Sequence, residues 1–352
     1  MARASGLRWA RRVGELSIPW LVVGFAVAAL VVAWAGVRLT AEADALAERT
    51  RLGGAVFGAA FLGATTSLPG IVTSVGAAAM GYPKLAVSNA VGGIAAQTVF
   101  IAFADMFYRR ANLEHAAASA PNLVNGALVT TLLGWVLLSG ELPQWTVLSV
   151  HPASLVLLLG YFGGLYMARD AQRNPMWAPA EMPEQRRAVL PESEVGVPIG
   201  RVWLKFAVYG LVVAGAGYAV SKLSTSLVEQ TGISETLVGT YLSAITTSLP
   251  ELVTSIAAVR RGALALAVGD ILGGNVFDVL FIAFSDVAYR AGSIYEHVGG
   301  DIRLVLSLAI VLTGVALLGL LRRERSGVAN IGSEGVLVIL LYAGTIVALT
   351  MG

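Results

Sequence analysis

The second half of this 352-residue chain repeats the first at a fixed offset of 181 positions, and it does so inside segments too apolar for a water-soluble fold. Thr65-Thr66-Ser67-Leu68-Pro69-Gly70 returns as Thr246-Thr247-Ser248-Leu249-Pro250-Glu251. The same shift carries Leu30-Val31-Val32-Ala33 onto Leu211-Val212-Val213-Ala214 and Thr73-Ser74 onto Thr254-Ser255. It also carries Gly92-Gly93 onto Gly273-Gly274, Phe100-Ile101-Ala102-Phe103 onto Phe281-Ile282-Ala283-Phe284, Glu48 onto Glu229 and Gly58 onto Gly239. Of the 80 positions from 30 to 109, about 32 are identical to their partners. Apolar bias alone yields chance matches among Leu, Val and Ala, but not Thr-Thr-Ser-Leu-Pro in register.

Hydrophobic residues make up 56% of the chain and charged residues 13%, against roughly 25% charged in soluble domains. Mean hydropathy is +0.74. Apolar runs of about 20 residues match the hydrocarbon thickness of a bilayer. They predict spans at 18–37, 52–80, 84–108, 121–139 and 149–168, then at 202–222, 233–259, 263–289, 303–322 and 333–351. The basic start (Arg3, Arg8, Arg11, Arg12) ahead of the first run looks like a signal peptide, but the run is long for one and belongs to the repeat. Residues 169–200 form the most polar stretch and read as a linker between a first five-helix repeat (1–168) and a second (201–352). The expected fold is an all-α membrane protein of ten transmembrane helices. Five spans per half is an odd number, so equivalent helices cross in opposite directions and the two five-helix repeats are inverted, the plan many secondary transporters build around a midplane site.

Composition excludes several classes. A net charge of +2 gives no nucleic-acid footprint, and the absence of cysteine removes thiol and disulfide chemistry. His115, His151 and His297 fall near segment ends and suggest no metal role. No nucleophile–base cluster points to an enzyme. Leaving out Lys205 inside a span, Lys and Arg number 15 in the odd-numbered loops and 8 in the termini and even-numbered loops, which places the linker in the cytoplasm and both termini outside, although the N-terminal arginines argue the other way.

Pro69 and Pro250 bring no amide hydrogen to the carbonyls of Thr65 and Thr246, four residues earlier. Irregular backbone at membrane depth is tolerated only when buried in protein or lining a cavity. Hydroxyls beside it and a carboxylate just past the proline make an oxygen-rich pocket, and hard cations such as Ca²⁺ take about 6–8 oxygen ligands. The plainer reading is a proline kink whose hydroxyls re-satisfy the backbone; two copies in an inverted repeat, one carrying Glu251, weigh against it. A carboxylate near a helix centre costs about 2.5–3.5 kcal/mol on insertion scales, so Glu251 should face the bundle interior with a partner. The nearest candidate is Asp278, near the middle of the next span, where Gly273-Gly274 allows close helix approach. Asp270 and Asp286, whose first-half equivalents are Asn89 and Asp105, lie eight residues to either side, about 12 Å along a helix axis. A polar track through them is one reading. For Asp105 and Asp286, surface pairing with Arg109 and Arg290 at i+4 is the preferred one.

Thr-Ser-Leu-Pro-Glu, followed about 20 residues later by Ala267-Val268-Gly269-Asp270-Ile271-Leu272-Gly273-Gly274-Asn275-Val276-Phe277-Asp278, resembles the second α-repeat of the sodium/calcium exchanger (cation/Ca²⁺ antiporter) superfamily. The resemblance extends over the whole ten-span chain. It implies cation ligation by Thr247, Ser248, Glu251 and Asp278 from the second half and by Thr66 and Ser67 from the first, with Gln97 in the position of the first-repeat Asn or Asp. It further implies antiport by alternating access, with the first and sixth helices moving against a core of helices two, three, seven and eight. The departures lie in the first repeat. Gly70 replaces the family's Glu, Ile94 replaces its Asn, and Gly93 and Gly274 replace small hydroxyl residues. At most two carboxylates remain, and if they approach each other when the site is empty, transport becomes pH-sensitive. The expected function is secondary active exchange of inorganic cations, Na⁺-coupled Ca²⁺ exchange first, in the plasma (inner) membrane and without a cofactor. Coupling to protons or a monovalent ion, or a degenerate exchanger fold with a non-transporting regulatory role, are the alternatives.

Overall fold

A computed structural model describes residues 16–50, 63–107, 113, 117–174, 198–260, 264–323 and 332–351. These residues are almost wholly helical, with one isolated β-bridge between Val147 and Val150. In chain order the helices are α1 (Ile18–Thr50), α2 (Leu68–Ala79), α3 (Pro83–Asp105), α4 (Ala120–Ser139), α5 (Pro152–Arg173) and α6 (Ile199–Thr231). Then follow α7 (Glu235–Thr247), α8 (Leu249–Arg260), α9 (Leu264–Asp278), α10 (Leu280–Ala288), α11 (Asp301–Arg322) and α12 (Ser333–Met351). Among the described residues seven helices are long and apolar enough to cross a membrane, or eight when the bent pair α7–α8 counts as one. The N-terminal arginines, Arg109, His115 and most of the linker lie outside the described residues.

The first helix of each half is longer than its apolar run. α1 and α6 each have 33 residues, about 50 Å at 1.5 Å per residue, where the sequence marked spans ending at 37 and 222. An apolar run marks only the most hydrophobic stretch; helix continues until Gly232 (φ 69°) stops α6 in a left-handed cap, its N–H bonded to the Val228 carbonyl.

The inner helices read as apolar on every side, and such helices are buried. α3 is enclosed save for Lys84 and Phe103, whereas α1, α6 and α12 present much of their surface outward. Around this centre α1 and α6 pack on each other and cross the proline breaks. A Cβ at Gly36 of α1 would stand 2.4 Å from Pro250 Cγ, and one at Gly217 of α6 would stand 2.7 Å from the Pro69 carbonyl oxygen. Gly36 and Gly217 are themselves 181 apart. The Thr73 hydroxyl sits on this contact, 2.8 Å from the Pro69 carbonyl and 2.9 Å from that of Gly217. Backbone cannot yield as a side-chain tip can, so Gly217→Val is expected to force α6 off α2. Overpacking of this kind costs about 1–3 kcal/mol, to be read as a lowered melting temperature in detergent with transport lost in parallel.

Two acids expected at the surface are internal anchors. Asp286 is fully buried, with its carboxylate accepting from the His151 N–H (2.7 Å), the Ile294 N–H (3.0 Å) and the Ser154 hydroxyl (2.8 Å). Arg290 instead reaches the Leu148 carbonyl. Asp105, also buried, accepts from the Leu113 and Gly332 amides. Irregular backbone between helices carries unpaired N–H groups, and a buried carboxylate at a helix end satisfies several at once. That demand outweighs a surface ion pair worth about 0.3–0.5 kcal/mol. Asp286→Ala strands three donors, each costing about 1–3 kcal/mol, so this variant should be recovered in low yield or melt far below the parent, while Asp286→Asn retains part of the loss.

The far end of α3 is held the same way. Glu235 accepts from the Leu85 N–H (3.0 Å), and the Tyr82 hydroxyl donates to Glu229. Burial and the neighbouring Glu229 push the Tyr82 phenol up to about 12, so it remains a donor at neutral pH.

Candidate cation site

Both copies of the repeated motif break their helices at the serine. Ser67 (φ −82°, ψ 2°) and Ser248 (φ −95°, ψ 7°) lie outside helical geometry, each one residue ahead of the Leu-Pro that restarts the helix. At the second break α7 and α8 bend by 46°. Just upstream, Val238–Ser243 is π-helical, with the Ser243 hydroxyl donating to the carbonyls of Val238 and Gly239. Proline removes the amide that would continue the ladder, and the serine takes up the irregular turn. Leu68 and Leu249 then restart helices that carry Gly70 and Glu251 in their first turns.

These breaks, the middle of α3 and the end of α9 enclose a small cavity, about 10 Å³ of space open to the centre of a water molecule. That is room for about one water or one dehydrated ion. Six residues expected at the site line it: Ser67, Gln97, Thr247, Ser248, Glu251 and Asp278. All six are buried, Glu251 at 7% exposure and Asp278 at 2%. The seventh, Thr66, is not part of the wall; its hydroxyl turns back to the Gly63 carbonyl (3.1 Å), one helical step away from the inward-facing Ser67.

Asp278 ties the halves together. Its Oδ1 accepts from the Ser67 hydroxyl (2.5 Å) and its Oδ2 from the Gln97 amide (2.7 Å), which also reaches the Ser248 hydroxyl (3.2 Å). Gln97 and Asp278 are 181 residues apart, so each hydrogen-bonds its own counterpart in the other half. Gly93 and Gly274 flank this pair: a Cβ at Gly93 would lie 3.4 Å from Ser248 Oγ, and one at Gly274 would lie 3.6 Å from Gln97 Oε1, both ordinary contact distances.

The acceptors around the cavity are incompletely used. Glu251 Oε2 and Gln97 Oε1 are buried without a hydrogen-bond partner among the described residues. A buried acceptor left unpaired costs about 1–3 kcal/mol, more when charged. Oxygens held this way around a space of one ion's size are what a hard cation recovers. Among the described residues no three acidic or histidine side chains cluster as a metal centre; the anionic part is Glu251 and Asp278 alone.

Asn89, Gly70, Gly93 and Phe281 complete the wall. Asn89, Gly93 and Gln97 follow one another at i, i+4, i+8, one face of α3, and this spacing is the signal that could have found Asn89. Its counterpart in the second half, Asp270, is exposed and does not reach the cavity. Nothing in the sequence foretold Phe281: its ring covers Gly70, with Cε2 2.5 Å and Cζ 3.1 Å from where a Cβ would stand.

Broken helices that converge on a small oxygen-lined cavity inside a helical membrane protein are a plan that secondary transporters use. The chain belongs to the sodium/calcium exchanger protein family, whose model matches residues 20–168 and 201–351. It is a transporter, not an enzyme. Inner membrane protein YrbG of Escherichia coli (strain K12) is 28% identical over 76% of this chain and 78% of its own. Putative antiporter CaxA of Alkalimonas amylolytica is 24% identical over 88% and 92%. Among solved structures, the H⁺/Ca²⁺ exchanger CAX shares the fold with a TM-score of 0.66 at 15% identity, covering 97% of this chain and 90% of that one. The sodium-calcium exchanger NCX_Mj does so with a TM-score of 0.57 at 19% identity, covering 93% and 98%.

Proposed function

We propose that this protein is a secondary active cation antiporter working by alternating access, with Na⁺-coupled Ca²⁺ exchange as its first assignment. The observation carrying this reading is the cavity in which Glu251 and Asp278 meet the hydroxyls of both helix breaks, with Glu251 Oε2 and Gln97 Oε1 unpaired. Glu251, Asp278, Thr247, Ser248, Ser67 and Gln97 serve as ligands or position them; Thr66 takes part only if its break rearranges. The scaffold is ten spans in two inverted five-helix repeats, 1–168 and 201–352, joined by 169–200. Contact between Gln97 and Asp278, each the other's counterpart, supports a pseudo-two-fold axis passing between them, as do the paired glycine–proline contacts of α1 and α6. A bacterial-type plasma (inner) membrane suits the relation to YrbG.

Proton coupling is a second reading, favoured by one feature: Gly70 leaves two carboxylates at the site, and two carboxylates balance one divalent ion or two protons. The test is reconstitution into sealed liposomes. Vesicles loaded with Na⁺ should take up ⁴⁵Ca²⁺ when diluted into Na⁺-free buffer, and an imposed pH gradient replaces the Na⁺ gradient if protons couple. Uptake indifferent to both gradients would remove the antiporter assignment.

A further inference from the structure

Resting on that reading, we infer that Asn89 is a direct ligand of the transported cation, supplying from the first repeat a neutral carbonyl oxygen where no carboxylate is present. Asn89 is 1% exposed and lines the cavity beside Gly70. Its amide nitrogen donates to the Gly70 carbonyl (3.3 Å) and the Ser74 hydroxyl (2.8 Å). A backbone carbonyl only accepts, so the nitrogen must be the atom on that side and the orientation of the amide follows from chemistry. Oδ1 is then fixed on the other side, where it is buried without a hydrogen-bond partner among the described residues. Gln97 repeats the logic two turns along the same face. Its nitrogen is held by the Asp278 carboxylate, an acceptor, and its Oε1 is left unpaired.

The resulting donor set is asymmetric. Both Asp278 oxygens already accept hydrogen bonds from Ser67 and Gln97, whereas Glu251 Oε2 is unpaired. One carboxylate therefore faces the ion directly from the second repeat, and two amide oxygens face it from the first. Phe281 occupies the space beyond Gly70, so no side chain at position 70 competes for that side. Such a site holds one hard cation at a time. Because divalent affinity follows the charge carried by the ligands, the neutrality of Asn89 sets the balance between Ca²⁺ and Na⁺.

The test measures ⁴⁵Ca²⁺ binding and its competition by Na⁺ on the purified full chain. Asn89→Asp puts a charged oxygen where the neutral one stood and should shift the Ca²⁺-to-Na⁺ affinity ratio toward Ca²⁺ by about tenfold, as added ligand charge does at oxygen sites. Asn89→Leu should weaken both ions by about tenfold, equivalent to about 1.4 kcal/mol. If Asn89 merely ties α3 to Gly70 and Ser74, the variants weaken that tie and only their melting temperatures fall, with the affinity for each ion unchanged; that result overturns the inference. Either variant alone decides, so one that fails to fold does not remove the test. Binding of neither ion by the parent protein, or binding indifferent to Glu251→Gln, would instead strike the proposed function.

Discussion

Glu251→Gln is expected to abolish gradient-driven cation flux while leaving the fold intact. The substitution conserves shape and removes charge. Glu251 is the carboxylate with an unpaired oxygen at the cavity, and Asp278 already accepts two hydrogen bonds. Removing the partner of a desolvated charge costs about 3–5 kcal/mol, a fall in cation affinity of at least about a hundredfold. Stability should move the other way or not at all, because Glu251 Oε2 has no hydrogen bond to lose and a neutral amide is easier to bury than a carboxylate. Two measurements check this together: ⁴⁵Ca²⁺ uptake in liposomes, and melting temperature with and without added Ca²⁺. A ligand that binds only the folded state raises the melting temperature, and that rise should vanish in the variant. Unchanged uptake would dismiss the site and favour a non-transporting role for the fold.

The second large effect is expected at Gly70. Restoring the carboxylate that the exchanger resemblance calls for, by Gly70→Glu, should disable the protein and leave it without added Ca²⁺ affinity. The Phe281 ring stands 2.5 Å from the Cβ position and is itself buried against Phe277 at 6.3 Å between ring centroids. Insertion into a packed site costs about 1–3 kcal/mol, and a third carboxylate in a one-ion cavity adds like-charge repulsion. Shortening the ring should relieve part of this. In Gly70→Glu/Phe281→Ala the two changes are expected to be non-additive, with a coupling of about 0.5–3 kcal/mol, read from melting temperatures of the four-member cycle. Independent effects would mean that Gly70 and Phe281 are not a matched pair. Wild-type flux in Gly70→Glu alone would mean that the ring moves freely out of the way.

The divergence of the two halves therefore has a physical form. Where the second repeat offers Glu251, the first offers a glycine with a phenyl ring over it. Where the second has Asp278, the first has Gln97, and the two bond across the centre. At the α1–α6 crossing, Lys205 pairs with Glu42 at 3.4 Å, while their counterparts Gly24 and Leu223 meet as an apolar contact. The duplicated scaffold is kept, and the carboxylates at the cavity come from the second repeat.

The sequence by itself determined the class of the protein, the offset between its halves, the two breaks and six of the cavity's lining residues. Those features are local: apolar length, the missing proline amide and the cost of a carboxylate in hydrocarbon act wherever the segment sits. The tertiary structure alone decided which faces turn inward. Ser67 rather than Thr66 meets the cavity because one helical step separates them by about 100°. Asn89 is interior and its counterpart Asp270 is exposed, although the repeat treats them alike. Asp105 and Asp286 anchor interhelical backbone instead of pairing at the surface, because the amides that need them are supplied by segments distant in sequence, such as Gly332 and His151. The Phe281 ring over Gly70 belongs to the same category. A vacancy at one position and its filling by a residue 211 places away are joined only when the helices pack.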